Sequence, residues 1–382
     1  GVATGIVMEF QFGTNWSTYS RFVGDVFGSA LAAEGIFAFF LESGFLAILL
    51  FGWDKVKPKT HFFATVMVAF GAHFSAIWIV VANSWQQTPA GYHIVNTGGT
   101  PRAEITDFWQ VLFNPSFMDR ITHVFMGSWQ AAAFFVLSVS AFYLLKKKHI
   151  DAAKASMKIA IVIALFASVF QLVTGHLSAD TVAETQPAKL AAFEGHYPAE
   201  APAGAYLFGW VDEENEKVSG LQIPGLLSFL VHWDFNEPVT GLQAFAEEDR
   251  PPVNLVFQSY HIMVVIGFIL IGLSIVGAIG WKTGALFRNR TLLWIFVFSV
   301  LLPQIANQLG WFTAEVGRQP WIVYGLLRTK DALSVSIGEG HVWMSMAMFV
   351  IIYILLFILF IYLLNEKIQQ GPIGKGSKKE GQ

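Results

Sequence analysis

HVWMSMAMFVIIYILLFILFIYLL fills residues 341–364. No Asp, Glu, Lys or Arg interrupts it. A helix rises about 1.5 Å per residue, so this run reaches roughly 36 Å. The hydrocarbon of a bilayer is about 30 Å thick, and about 20 apolar residues cross it. A water-facing helix of this length carries a charged face, and this run has none. It reads as a membrane span. It reads as a helix too, because lipid offers backbone groups no partner outside the segment itself.

The same test picks out six more runs, at roughly 28–53, 60–83, 120–145, 155–177, 253–280 and 291–313. Residues 1–12 look like the end of another span. The chain opens with Gly1 inside the apolar run GVATGIVMEF, which is expected to be the end of a helix that starts outside the chain. Composition agrees: 54% of the 382 residues are hydrophobic, 13% are charged, and there are 36 Phe and 13 Trp. That is far from a soluble average. The expected fold class is all-α, a polytopic transmembrane helix bundle with seven full spans and a partial N-terminal span. The absence of cysteine excludes disulfides, thiolate-held iron–sulfur clusters and covalently attached c-type haem.

The connections alternate in basic content. KVKPK (55–59), KKKH (146–149), WKTGALFRNR (281–290) and the tail KGSKKEGQ (375–382) are basic, and the positive-inside rule places all four in the cytoplasm. Connections 13–27, 84–118, 178–252 and 314–340 then lie outside. The chain divides into 1–177 with the partial span and four helices, an outer loop at 178–252, and 253–382 with three helices and a basic cytoplasmic tail. Segment 178–252 holds thirteen of the 27 acids, three Lys or Arg and half of the prolines. A loop this long is usually functional or disordered. The plain alternative is an acidic, solvated extracellular loop.

Charge inside the spans is costly, on the order of 2.5–3.5 kcal/mol per group near mid-bilayer. Span 28–53 nevertheless carries Glu34 and Glu42, in AAEGIFAFFLESGF. Eight helical residues set them about 12 Å apart on broadly similar faces, Glu34 outward and Glu42 near the centre. They are either neutral, hydrogen-bonded carboxyls or parts of a proton relay or metal site. His73, His123, His261 and His341 also lie within spans, and the last three fall in the outer half. Met263 stands two residues after His261. Imidazole with thioether is an axial pair for low-spin haem, but spacing cannot choose among these histidines. At the outer edge GWFTAEVGRQPW (310–321) sets Glu315 three residues before Arg318, where the two can pair on one face. They form either an interfacial salt bridge within an aromatic belt or a cationic site for an anionic group beside a carboxylate ligand. On residues alone, a proton-coupled polytopic transporter using Glu34 and Glu42 stays open beside a redox protein.

GWFTAEVGRQPW resembles the signature of subunit I of the bd-type quinol oxidases. MEFQFGTNW (8–16), EGIFAFFLES (34–43) and QPAKLAAFEG (186–195) resemble three further motifs of that family, in the same order, and the likeness covers essentially the whole chain. The resemblance implies a terminal oxidase of the bacterial cytoplasmic membrane. It takes electrons from ubiquinol or menaquinol at the outer face and reduces O2 to water with cytoplasmic protons, which builds a proton motive force without pumping. It implies low-spin haem b, high-spin haem b and haem d. The implied partners are a subunit II, small single-span subunits and the lipid bilayer, with no nucleic acid. Segment 178–252 resembles the shorter type of the family's quinol loop.

Matched motif by motif, the resemblance makes His123 in RITHVF and Met263 in YHIMV the ligands of the low-spin haem. Glu315 and Glu34 become carboxylates at the two high-spin sites. Glu42, Ser75 and Asn83 match polar groups of a proton path. Lys189 and Glu194 match residues of quinol oxidation, and Trp311 and Arg318 lie beside the haems. Three departures follow. A haem-ligating histidine of the family belongs to helix that these residues do not include. His261 stands where relatives often carry arginine. GHLSAD (175–180) replaces a Gly-Asp pair, so no acidic role passes to His176.

Overall fold

The computed structural model describes residue 7, residues 10–97 and residues 100–372. Residues 1–6 of the expected partial span, Met8 and Glu9 of the first motif, and the basic tail at 375–382 lie outside the described residues. Seven helices within the described part are long and apolar enough to cross a membrane. They are α1 (Ser17–Phe51), α2 (Pro58–Gln87), α4 (Phe117–Lys146), α5 (Ile150–Thr185), α8 (Val253–Thr283), the pair α9 (Arg290–Phe298) and α10 (Leu301–Val316), and α11 (Glu339–Gln370). The only strands among the described residues form three small antiparallel ribbons: β1 (Tyr92–Thr97) with β2 (Thr100–Ile105), β3 (Ala205–Asp212) with β4 (Lys217–Ile223), and β5 (Trp321–Val323) with β6 (Leu327–Arg328). Short helices α3 (Phe108–Leu112), α6 (Pro187–Glu194) and α7 (Leu226–His232) complete the chain.

Turns of a few residues join α1 to α2, α4 to α5 and α8 to α9 at one end of the bundle. Pro58 opens α2 after an extended Lys57, which suits a helix start because proline lacks the N–H that a first turn leaves unpaired. Asn289 caps α9 by accepting the Leu292 N–H at 3.1 Å. The long connections gather at the other end.

Three elements differ from the sequence reading. The first helix begins at Ser17, so the expected connection 13–27 is mostly helical. Tyr19, Phe22, Val23, Val26, Phe27 and Ala30 bury one face of it at helical spacing, while Arg21 and Asp25 keep its mean hydropathy low. The expected single span 291–313 is broken at Ser299–Val300, because Pro303 cannot donate to the carbonyl four residues earlier. Helix α5 continues to Thr185, so the outer segment starts at 186 rather than 178.

Within α1 a π segment, Gly35–Phe39, follows Glu34. Eight α-helical residues leave about 80° between side chains, and the one extra residue of a π turn removes about 100°. Glu34 and Glu42 therefore both meet α2. Ser75 Oγ donates to Glu34 Oε1 at 2.5 Å, and a Cβ at Gly71 would stand 3.1 Å from the Glu42 Cβ.

The core has three parts. Helices α1 and α2 pack with β1–β2 and the start of α4 around Trp85, Phe22 and Val26. Helices α4, α5, α8 and α9 close around Phe134, Leu137, Met157 and Phe296. The long outer segment has its own core, in which Leu190, Phe193, Leu227 and Leu242 pack on Phe257 of α8. That segment is therefore packed rather than solvated through its motif. Gly195 ends α6 at φ +65°, and a Cβ there would stand 2.7 Å from Val218 and 3.1 Å from Phe257. Only glycine meets both demands.

Candidate functional site

The ends of α2, α4 and α10 and the short helix α6 meet at the end of the bundle that bears the long connections. Glu315, near the end of α10, is the hub. Its Oε2 accepts from Arg318 Nη2 at 2.6 Å. Its Oε1 accepts from Asn83 Nδ2 at 2.9 Å and from Gln87 Nε2 at 3.3 Å. Arg120 Nη2 lies 3.9 Å from the same oxygen and donates to Asn83 Oδ1. The Arg120 guanidinium also sits 6.0 Å from the Trp311 ring centroid, within cation–π range.

Lys189 enters this cluster from α6. Its stem runs over Gly317, where a Cβ would come 3.0 Å from Lys189 Cγ. Its ammonium donates to Gln87 Oε1 at 2.6 Å. Gln186 Nε2 fixes Gln87 further, donating to its backbone carbonyl at 2.5 Å and to Oε1 at 3.1 Å. Burial holds the Lys189 ammonium well below the usual lysine range, with the nearby Arg120 and Arg318 cations adding to it and Glu315 opposing. Beside Lys189 and Arg318 a pocket of about 200 Å³ opens between Phe245, Asp249, Trp321 and Tyr324.

The cluster is unbalanced. Arg120 and Arg318 face one carboxylate, and Arg120 Nε and Arg318 Nη1 are buried without a partner. Buried guanidinium nitrogens call for acceptors, and an excess of cation calls for anion.

His123, one turn into α4 from Arg120, faces two partners. Nδ1 lies 3.1 Å from Thr174 Oγ1, and Gln171 Nε2 lies 2.9 Å from His123 Nε2. With the amide nitrogen as donor, His123 Nε2 is the acceptor and Nδ1 carries the proton. A ligating histidine needs one ring nitrogen held by an oxygen, which Thr174 supplies at Nδ1. Gly127, a turn further along α4, packs on Asn307 of α10, and Met263 Sδ stands 3.0 Å from where a Cβ at Gly310 would be. The imidazole faces α5, where a Cβ at Gly175 would stand 3.4 Å from its Cε1, and the thioether faces α10 at Gly310.

Residues expected to act together are partly redistributed. Lys189, Glu315, Arg318, Asn83 and Trp311 belong to one cluster. Ser75 hydrogen-bonds Glu34, and Asn83 hydrogen-bonds Glu315 eight residues later on α2, so neither pairs with Glu42. Glu194 is buried on another side of α6, hydrogen-bonded to Tyr260. Burial pushes its carboxyl up to about 7, and the Tyr260 hydrogen bond works against that rise. His261 turns away to β3, with its ring nitrogens 2.8 Å from the Phe257 and Tyr206 carbonyls. Sequence reasoning missed Arg120, Gln87, Gln186 and Tyr260. Arg120 stood in the quoted RITHVF, one turn before His123, and was the one legible signal.

Haem fits these residues on two observations. Two guanidinium nitrogens are buried without acceptors, which the carboxylates of a haem edge would supply. Glycines stand beside both side chains, Gly175 at the His123 ring and Gly310 at the Met263 sulfur.

Fold and site together define a polytopic, membrane-type helical protein with buried guanidinium groups around one carboxylate towards one end of the bundle. The model of the cytochrome bd terminal oxidase subunit I family matches residues 1–372. The chain belongs to that family. It is 38% identical to cytochrome bd ubiquinol oxidase subunit 1 of Bacillus subtilis, over 97% of this chain and 81% of the relative. It is 33% identical to cytochrome bd-II ubiquinol oxidase subunit 1 of Escherichia coli, over 100% of this chain and 87% of the relative. A bd oxidase structure from Geobacillus thermodenitrificans superposes with a TM-score of 0.87 at 32% identity, covering 97% of this chain and 84% of that one.

Proposed function

We propose that the subunit oxidises ubiquinol or menaquinol at the end bearing the long connections and delivers the electrons to O2, which is reduced to water. The observation that carries this reading is the buried cluster itself. One continuous set of hydrogen bonds runs from Lys189, in the quinol-type motif, to Glu315, in the oxidase signature. Family membership supports it. The long connections face outward and the basic turns face the cytoplasm, on the positive-inside argument.

His123 and Met263 would hold the low-spin haem b, and Glu315 and Glu34 would belong to the sites of high-spin haem b and haem d. Bound haem supplies the one-electron and oxygen chemistry. Arg120 and Arg318 neutralise its acidic edge, and Trp311 holds Arg120 in place.

Quinol gives up two protons as it is oxidised. The Glu194 carboxylate, with a pKa of about 7, takes one at a carboxylate oxygen and passes it to the outer solvent, and the other leaves quinol directly to the outer solvent. The Lys189 ammonium orients a quinol oxygen from its buried seat at Gln87. On the opposite side Glu42 passes cytoplasmic protons towards Glu34, which faces the same helix and accepts a hydrogen bond from its Ser75. Segment 186–252 acts as the quinol loop. The exposed apolar faces of α1 and α11 meet lipid, subunit II and small single-span subunits. Protons consumed on one side and released on the other build a proton motive force without a pump.

Oxygen uptake by the purified complex with reduced quinol tests the reading. Quinol-dependent uptake abolished by Lys189→Ala with haem content retained supports it. Full uptake in that variant contradicts the placing of quinol oxidation here.

A further inference from the structure

Gln87 is the last residue of α2, and its side chain is 2% exposed. It has opposite charges on its two sides. Oε1 accepts from the Lys189 ammonium at 2.6 Å, and Nε2 donates to Glu315 Oε1 at 3.3 Å and to the Ala314 carbonyl at 3.4 Å. A flipped amide would turn its NH2 towards an ammonium and its oxygen towards a carboxylate. Both contacts would then be repulsive, so the charges lock the orientation. Gln186 clamps the same residue from α6 at its backbone carbonyl. Gly317, two residues after Glu315, lets the Lys189 stem lie against α10.

Few side chains suit this position. A carboxylate serves Lys189 but has no donor for Glu315. An aliphatic chain serves neither. Asparagine is one methylene too short to bridge the same span. An amide of this length satisfies a cation and an anion at once and adds no charge to a buried cluster.

We infer that Gln87 is a positioning residue that couples the quinol loop to the haem-side carboxylate, setting the place of the Lys189 ammonium and of the Glu315 carboxylate together. The inference rests on the proposed roles of Lys189 and Glu315. Displacing the Lys189 amine displaces the Gln87 amide, which is hydrogen-bonded to Lys189 on one side and to Glu315 on the other. Gln87 is not a catalytic residue, because it touches neither substrate nor iron.

The test uses Gln87→Leu and Gln87→Glu in the assembled holo-complex. Two readouts are taken: the quinol KM and kcat, and the reduction potential and absorption of the haem at the Glu315 site, by spectroelectrochemistry. Gln87→Leu deletes both hydrogen bonds. The quinol KM then rises about tenfold, the usual scale for losing a hydrogen bond to a charged group. The haem potential falls in the same variant, because more negative charge stays on the Glu315 oxygens. Gln87→Glu keeps the acceptor for Lys189 and loses the donor to Glu315. Its KM stays near the parent value, while the haem potential falls.

A KM change in Gln87→Leu with an unmoved haem overturns the coupling, as does a variant unchanged in both readouts. Where Gln87→Leu does not assemble, Gln87→Glu decides alone, and an unmoved haem potential there overturns the inference. Lys189→Ala and Glu315→Gln run in parallel. If these leave KM and haem untouched, the underlying reading of the site has failed. If they change both while the Gln87 variants change neither, only the coupling has failed.

Discussion

Glu194→Gln removes a buried carboxyl whose pKa lies about 7. The ordinary glutamate value is 4.5, and raising it to about 7 corresponds to about 3 kcal/mol by which burial disfavours the charged form. The group is 5% exposed, so solvent screens little of that. The sign follows from the direction. A carboxyl raised in the folded state leaves the fold fully stable below about 4.5. Stability is then lost as pH climbs from there to about 7, where Glu194 ionises. On the proposed reading the same ionisation makes a base for quinol. Parental kcat/KM for quinol is therefore expected to rise through an inflection near 7. Glu194→Gln abolishes the inflection and lowers the rate on the order of a hundredfold, the lower range for losing a general base. Tyr260→Phe deletes the hydrogen bond that lowers the Glu194 pKa, so the inflection moves to higher pH. The assay is steady-state oxygen uptake with a soluble quinol across neutral pH, with haem content measured in every sample. An inflection that persists near 7 in Glu194→Gln would refute the assignment.

The other predictions rest on separate contacts. His123→Ala or Met263→Leu is expected to remove the low-spin haem signal from the optical spectrum, since each deletes one proposed ligand, and a retained six-coordinate spectrum refutes that ligand. Glu42→Gln keeps haem content and quinol KM but slows turnover, whereas Glu34→Gln disturbs a haem band; parental oxygen uptake in Glu42→Gln across neutral pH excludes a proton role there. Gly195→Ala places an alanine at φ +65° with its Cβ 2.7 Å from Val218. The αL strain and overpacking together cost about 2–4 kcal/mol. Faster proteolytic nicking within 186–252 checks this, and parental resistance contradicts it.

The spans were legible because lipid leaves a chain no choice, so an uncharged run such as 341–364 announces itself. The start of α1 escaped because Arg21 and Asp25 dilute its hydropathy. The signal was there in another form, since Tyr19, Phe22, Val23, Val26 and Phe27 recur at helical spacing. Pro303 was equally visible, and its break at Ser299–Val300 follows from proline geometry. The π segment after Glu34 has no local signature, so the shared face of Glu34 and Glu42 was only roughly foreseen. At the site, the motifs named Lys189, Glu315, Arg318 and Asn83 but not their joining. That depends on Gln87 meeting Lys189 across about a hundred residues of chain and Glu315 across more than two hundred. No periodicity encodes contacts at such separation. Arg120 was hidden in another way. One arginine at a span end reads as an interfacial anchor until Glu315, Asn83 and Trp311 are seen around it.

The central claim is that quinol electrons enter haem bound by this chain. It is tested most directly by adding reduced quinol anaerobically to the purified oxidised complex while recording the optical spectrum, and then admitting O2. The account predicts that haem bands of the low-spin and high-spin types become reduced on quinol addition and return to the oxidised state with O2. A complex with no haem bands, or one whose bands quinol leaves oxidised, would contradict it.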